Sequence, residues 1–342
     1  MAESTIGVAI HGAGDVAHAH ALSWMKNPRA RLVSISSRTP QSAQSLAERL
    51  GVVCDVRHKY DEVLADPRVN VVDICSPNHA HAQQGIAAAE AGKHIFVEKP
   101  MAMSLDECRD LRDAVAAAGV KSIVGFVLRW NPLFTVLKRQ LADGAVGELF
   151  FAEVDYWHGI GPGFRKQWQW FSRKETAGST ALLAGCHAID ALRYLTGEEA
   201  VEVSAYSNNK KENFEYDANY VAVMKLASGT IAKSSTLLDC EMPYTFNIDL
   251  AGTKGTIRDN RIWSPEKMPG QTSWATVPTI LPDSGDVHHH AFDAQMNHFI
   301  ECIDQDRDSH CNVADGYRTH ELCLAIDRSI EEGGAMVRLP LE

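Results

Sequence analysis

The chain has 342 residues, too many for one ordinary hydrophobic core and well suited to two domains. Its apolar content of 45% is that of a folded globular protein, and its formal charge of −11 argues against wrapping nucleic acid. No apolar run is long enough to span a bilayer, so no membrane partner is expected. The opening MAESTIGVAI lacks a basic leader, and the eight cysteines form no CxxC pair. These features lead us to expect free thiols and a cytoplasmic setting.

Ile6 to Ile10 reads as a short apolar strand that runs into His11-Gly12-Ala13-Gly14-Asp15-Val16-Ala17, a GxGxxA turn before a helix. Gly12 permits a tight turn, Gly14 lets backbone approach a pyrophosphate, and the helix N-terminus can hold the phosphates. Arg31 to Ser36 is the next strand. A fold that prefers NAD usually places a carboxylate at its end, on the ribose hydroxyls. Here Ser36-Ser37-Arg38 stands there instead, and the Arg38 fork suits a 2′-phosphate, which favours NADP over NAD.

Gln41–Leu50 and Tyr60–Ala65 read as helices, Val69–Cys75 as a strand that exits into Ser76-Pro77-Asn78-His79-Ala80-His81, and Ala80–Ala91 as a helix. The run IFVEKP at 95–100 follows. A strand there ends in Glu98, Lys99 and Pro100, and proline restricts the residue before it to extended geometry. Lys99 is thus expected at the carboxyl end of a parallel strand, where ligands bind in open α/β sheets. A helix over Ser104–Ala118 and a strand over Lys121–Phe126 complete a βαβ alternation.

Beyond a helix that starts at Pro132 the composition shifts. Leu149–Trp157, Val201–Ser207, Asn219–Leu226, Thr230–Leu237, Tyr244–Ala251 and Gly255–Asp259 read as strands of a mostly antiparallel sheet. Helices on one face of such a sheet would leave the other open, and a second subunit would cover it. A single helix is predicted over Ala181–Leu195, carrying His187, Asp190 and Arg193. Tyr156, Trp157, Trp168, Trp170 and Phe171 read either as core or as flat apolar faces of the kind that suit a sugar ring. The run His288–His290 cannot bring three histidines to one metal from a helix, and no metal is expected. One of these histidines, His288, is a candidate for the substrate cleft.

GAGDVA at 12–17, SPNHAH at 76–81, AGKHIFVEKP at 91–100, RWNPLF at 129–134 and GCHAIDALRYLTG at 185–197 together resemble the glucose–fructose oxidoreductase and inositol dehydrogenase family, across nearly the whole chain. The resemblance implies an N-terminal Rossmann dinucleotide-binding domain, residues 1–126. It implies a C-terminal α+β domain with a large open, mostly antiparallel sheet, residues 127–342, in a homodimer or homotetramer. It implies an enzyme that oxidises or reduces a secondary carbon of a sugar or cyclitol with NADP or NAD. Lys99 and His187 would be the catalytic pair. Histidine's ordinary pKa suits proton transfer near neutrality. The cofactor contacts would be Gly12, Gly14, Asp15, Val16, Ser37, Arg38, Ser76, Asn78, His81, Glu98 and Lys99. Tyr156, His158, Trp168 and His288 would face substrate. The chain departs from the family's DxGxH pattern at Leu183, where an aspartate is usual, and has Ala177 in place of a glycine. Tyr156, His158 or the histidine run could supply the missing acid's function. Two other readings remain open: a glycosidase or lyase that oxidises C3 transiently, and a sensor of sugar or nucleotide without turnover.

Overall fold

The computed structural model describes residues 5–163, 168–282 and 290–342, in two compact units. One comprises Met1–Phe126 with Phe292–Tyr317, the other Val127–Ala291 with Arg318–Glu342. The break at Phe126/Val127 falls before the helix that starts at Pro132, ahead of the shift in composition that follows that helix. Residues Phe292–Tyr317 group with the first unit, although chain order alone assigns them to the second.

The first unit runs β1 (Ile6–His11), α1 (Asp15–Lys26), β2 (Ala30–Ser36), α2 (Pro40–Leu50), β3 (Asp55–Arg57), α3 (Tyr60–Leu64), β4 (Val71–Ile74), α4 (His81–Glu90), β5 (His94–Val97), α5 (Leu105–Ala118) and β6 (Ser122–Val124). The six strands pair in parallel in the order β3-β2-β1-β4-β5-β6. All six residues of β1 and all four of β4 are buried, as a parallel sheet covered on both faces requires. Burying side chains such as Val8 and Ile10 contributes roughly 1.5–3 kcal/mol each. Local chemistry sets the helix ends. Ser104 and Glu107 form a reciprocal capping box at the start of α5, and α2 stops at Gly51 in the left-handed conformation. The strand order reverses between β1 and β4, and ligands bind at such a switch point.

The second unit holds α6 (Pro132–Ala142), β7 (Leu149–Trp157), α7 (Trp168–Phe171), α8 (Lys174–Ala177), α9 (Cys186–Thr196), β8 (Ala200–Asn208), β9 (Asn219–Leu226), β10 (Ile231–Leu237), β11 (Thr245–Gly252), β12 (Thr256–Arg258), β13 (Arg261–Trp263) and β14 (Ala275–Thr276). α10 (Phe292–Asp304) lies within the first unit's share of the chain. α11 (Val313–Glu331) begins in that share and ends in the second, and β15 (Val337–Arg338) closes the chain. The nine strands lie in the order β14-β13-β12-β11-β7-β10-β9-β8-β15, and only the β7–β10 pair is parallel. β9 shows the expected alternation: Tyr220, Ala222, Met224 and Leu226 are buried, whereas Val221, Val223 and Lys225 are exposed. α9 packs on β7 and β10. The short strands β3, β13 and β14 have no apolar alternation long enough to reveal them in the sequence.

The predicted helix over Ala181–Leu195 is two elements. A π-helical turn, Ala181–Gly185, precedes α9. An added Cβ at Gly185 would lie 2.4 Å from the Tyr220 hydroxyl, so the turn reaches β9 only because residue 185 has no side chain. Asp190 and Arg193, which share only a loosely common side with His187, serve ion pairs, Asp190 a buried one and Arg193 one to an exposed partner. Arg129 donates from Nε (2.8 Å) and Nη2 (2.6 Å) to the two Asp190 oxygens, and Thr319 Oγ1 donates to Oδ1 (3.1 Å). Arg193 pairs with Glu199. Among the described residues no helix is long and apolar enough to cross a membrane.

Arg129 and Asp190 are both almost fully buried, so removing one leaves the other charged and uncompensated. Arg129→Met should destabilise the second unit by about 3–5 kcal/mol, read by denaturant unfolding. A loss below about 1 kcal/mol would show that the pair does not anchor α9.

Candidate active site

At the carboxyl ends of β1, β2 and β4 the first unit builds a connected polar chain. Ser76 Oγ donates to Gln84 Oε1 (2.5 Å), Gln84 Nε2 donates to His11 Nε2 (3.0 Å), and His11 Nδ1 donates to Ser36 Oγ (2.8 Å). Ser36 Oγ in turn donates to the Ile10 carbonyl at 3.4 Å. This order requires a neutral imidazole, and burial, with a smaller electrostatic effect from His81, lowers the His11 pKa to about 4. Ser36, fully buried, is thereby tied inward. Ser37 is half-buried and Arg38 exposed beyond it, with no carboxylate at the strand end.

Gly12 has φ +120°, and an added Cβ would lie 2.3 Å from the Cys75 carbonyl oxygen. The turn therefore packs against the end of β4 only with glycine there. Gly14 is different. It is exposed at the N-cap of α1, no side chain caps the helix, and an added Cβ would meet no protein atom within 4 Å. The space in front of Gly14 is open, and amides at a helix N-terminus have no acceptor within the helix. Asn78 is buried, and its Nδ2 has no acceptor among the described residues. An open helix N-terminus and a buried donor lacking an acceptor fit a dinucleotide with phosphate and amide or hydroxyl acceptors.

The EKP segment follows β5. Lys99 is half-buried at the strand end, and its peptide bond to Pro100 is cis. Glu98 turns the other way. Its Oε1 lies 3.1 Å from His20 Nε2, and its Oε2 accepts from the Lys99 amide at 3.1 Å. Its carboxylate therefore faces the core and not the open cradle. His81 has Nδ1 2.7 Å from the Pro100 carbonyl and Nε2 2.7 Å from the Ser76 carbonyl. With both nitrogens engaged, His81 clamps the exit of β4 to the EKP segment and has none left for a ligand.

In the second unit His187 lies at the start of α9, right after the π turn, and is 7% exposed. π turns recur at functional sites. The ring stacks on Tyr156 with centroids 5.9 Å apart and planes 9° from parallel, and His290 lies 6.3 Å away. The Tyr156 hydroxyl is 3.2 Å from His158 Nδ1, and Tyr244 meets both Tyr156 and His158 edge-on. Residue 183, where the family pattern has an aspartate, is buried with Ile160, Ala184, Phe214, Tyr216 and Leu238, and Trp168 packs against the same cluster. An isolated carboxylate among those groups would be strongly disfavoured, so leucine suits its surroundings. Tyr156 and His158 are thus brought together beside His187, and Tyr156 and Trp168 both pack against the Leu183 cluster. His288 lies outside the described residues. His290, of the same run, is the histidine found near His187. Tyr244 and the His20 cluster were missed. The visible signal for the latter is Asp73, a lone acid inside the apolar strand VVDI.

Comparison with known proteins matches residues 6–126 to the family described as "Oxidoreductase family, NAD-binding Rossmann fold", and residues 134–258 to the "GFO/IDH/MocA C-terminal domain". The chain is 27% identical to the scyllo-inositol 2-dehydrogenase (NAD(+)) of Bacillus subtilis, over 97% of this chain and 96% of that protein. It is 33% identical to the D-glucoside 3-dehydrogenase of Escherichia coli, over 61% of this chain and 60% of that one. Among solved structures, a levoglucosan dehydrogenase in complex with NADH and levoglucosan superposes with a TM-score of 0.90 at 24% identity. That match covers 98% of this chain and 100% of the other, and it shows the shared fold.

The His11 network makes a pH prediction. The folded-state pKa of about 4 lies below the ordinary 6.5. Between those values the unfolded chain binds a proton that the folded chain refuses, so stability falls as pH drops from about 6.5 to 4. The loss from this one group is up to about 3 kcal/mol. His11→Gln should flatten the stability profile in that window, measured by urea unfolding at pH 4–7. Equal slopes in the two proteins would show that His11 is not held neutral.

Proposed function

Because the chain belongs to the GFO/IDH/MocA oxidoreductase family, we propose that it catalyses reversible hydride transfer between a nicotinamide dinucleotide and a secondary carbinol carbon of a sugar, sugar derivative or cyclitol. The observation that carries this reading is Lys99 at the end of β5, in a parallel sheet whose β1–β4 switch point bears the open cradle of Gly14 and Asn78. The names of the curated relatives, an inositol and a glucoside dehydrogenase, support the substrate class.

The nicotinamide, when bound, supplies the hydride acceptor or donor. The remaining work belongs to the chain. The amides at the start of α1 hold the pyrophosphate, and Asn78 donates to the cofactor from its buried position. Lys99 donates to the substrate oxygen and stabilises negative charge as it develops there. His187 takes the hydroxyl proton as general base in oxidation and returns it in reduction. Tyr156, stacked on His187 and bonded to His158, keeps the imidazole oriented, the task a carboxylate at position 183 would otherwise have.

The cofactor is NADP in preference to NAD. The missing carboxylate after β2, the inward-tied Ser36 and the exposed Arg38 support this, although the Bacillus relative bears NAD(+) in its name. The exposed sheet-face residues Val221, Val223 and Ile231 support a homodimer or homotetramer with that face covered. None of the eight cysteines forms a disulfide, which suits the cytoplasm.

Incubation with NADP and NAD against a panel of sugars, cyclitols and glycosides should show reduced nicotinamide accumulating with an oxidised sugar. Glycoside cleavage without net reduction would instead indicate the transient-oxidation chemistry. Lys99→Met and His187→Ala should each lower turnover by about 10²–10⁴-fold and leave cofactor affinity within a few-fold. Wild-type turnover in either would remove its assigned role. Arg38→Ala should raise KM for NADP and leave KM for NAD nearly unchanged; equal effects on both would refute the proposed preference.

A further inference from the structure

Beneath the strand ends of the first unit lies a cluster of charged groups that the proposed chemistry does not use. His20, on α1, is fully buried. Its Nδ1 lies 3.1 Å from Asp73 Oδ1 and 3.0 Å from Oδ2, and its Nε2 lies 3.1 Å from Glu98 Oε1. Ionised carboxylates only accept hydrogen bonds. With carboxylate oxygens at both ring nitrogens, both nitrogens carry protons, and the ring is an imidazolium.

Other groups pack around this cluster. From β4, Cys75 Sγ lies 3.3 Å from Asp73 Oδ1 and 3.4 Å from His20 Nδ1. Burial pushes this thiol up, so it stays protonated. From α1, Trp24 Nε1 donates to Asp73 Oδ2 at 2.7 Å. The rings of Phe96 and Phe292 close over His20 at 4.9 and 4.7 Å. His81 and Lys99 are the other charged or titratable groups that act on Glu98. Burial opposes charge on His20, but Asp73 and its hydrogen bonds outweigh it and hold the imidazole well above its ordinary range. Glu98 is likewise opposed by burial yet held below the usual carboxylate range, chiefly by its bond to His20.

This arrangement bears on the one segment that carries Lys99. Glu98 precedes Lys99 in the chain, accepts a hydrogen bond from its amide, and packs against Gly125, where an added Cβ would meet the carboxylate at 2.5 Å. A glutamate so placed can face either the core or the open end of the strand. We propose that His20 is a positioning residue: clamped between Asp73 and Glu98, it holds Glu98 inward and thereby sets where the Lys99 side chain stands. His20 touches neither cofactor nor substrate and acts through Glu98. The proposal rests on the role given above to Lys99 but makes a claim of its own about Lys99's surroundings.

Three measurements on the full chain test it. In the wild-type protein, ¹⁵N-labelled imidazole signals should show one buried histidine doubly protonated at pH 8.5 and lost in His20→Gln; a neutral ring at position 20 overturns the clamp. Reductive ¹³C-dimethylation gives Lys99 a signal assigned by its loss in Lys99→Met. That signal should shift in His20→Gln and in Glu98→Gln, each checked for folding by its thermal midpoint, and an unmoved signal in both overturns the proposal whether or not a substrate is known. With a turned-over sugar, His20→Gln should lower kcat by tenfold or more with KM for cofactor changed less than threefold. In the Lys99→Met background the same substitution should change residual turnover less than twofold. Independent, multiplicative losses would show that His20 is merely structural. If no sugar is turned over by the wild type while the two spectroscopic results hold, the functional reading fails and the clamp stands.

Discussion

The structure depends most on how the chain leaves β5. Three consecutive residues go to three different places. Glu98 turns into the core toward His20, Lys99 stays at the strand end, and the Pro100 carbonyl faces the His81 ring. Two carboxylates and an imidazolium beneath the sheet are costly to bury unless every charge is paired and hydrogen-bonded. Here each has a partner: Asp73 accepts from His20 Nδ1 and the Trp24 N–H, while Glu98 forms an ion pair with His20 at 3.1 Å and accepts from the Lys99 amide. Breaking one contact would leave a buried charge unmatched, which is why the segment has few alternative conformations open to it.

The second unit solves a comparable problem with different means. His187 is held by ring packing and by the anchoring of its helix. Arg129 grips Asp190 one turn further along α9, and the π turn before His187 lies against Tyr220 through Gly185. Leucine at position 183 joins an aromatic cluster, so the environment has no room for the acid that the family pattern places there. Tyr156 stacks on the imidazole, its hydroxyl lies against His158 Nδ1, and Tyr244 meets Tyr156 and His158 edge-on.

Much of this was legible in the residues. The βαβ alternation, the GxGxxA turn and the proline after Lys99 each have a local physical cause, so the Rossmann order and the strand-end lysine could be read directly. Strands β7 and β9 were located to the residue because their alternation spans eight or nine positions. What escaped reading depends on distant partners. Nothing in the sequence around Glu98 says that it faces inward, because the reason lies at His20 and Asp73, 78 and 25 residues away. The π turn escaped because its extra residue leaves the apolar pattern LLAGC unchanged, and the tyrosine it lies against is on β9, far along the chain. His81 read as a cofactor neighbour from its place after β4, yet two carbonyls from elsewhere in the chain occupy its nitrogens.

The central claim is that a carbinol hydrogen of a sugar-like molecule moves as hydride to a nicotinamide held at the β1–β4 switch point. The most direct measurement uses a sugar or cyclitol carrying deuterium at its carbinol carbons, incubated with the protein and NADP, with the free nicotinamide analysed by mass and NMR. The account predicts one deuterium at C4 of reduced cofactor released into solution. Cofactor that binds but never acquires the label, from any member of a broad panel, would contradict it.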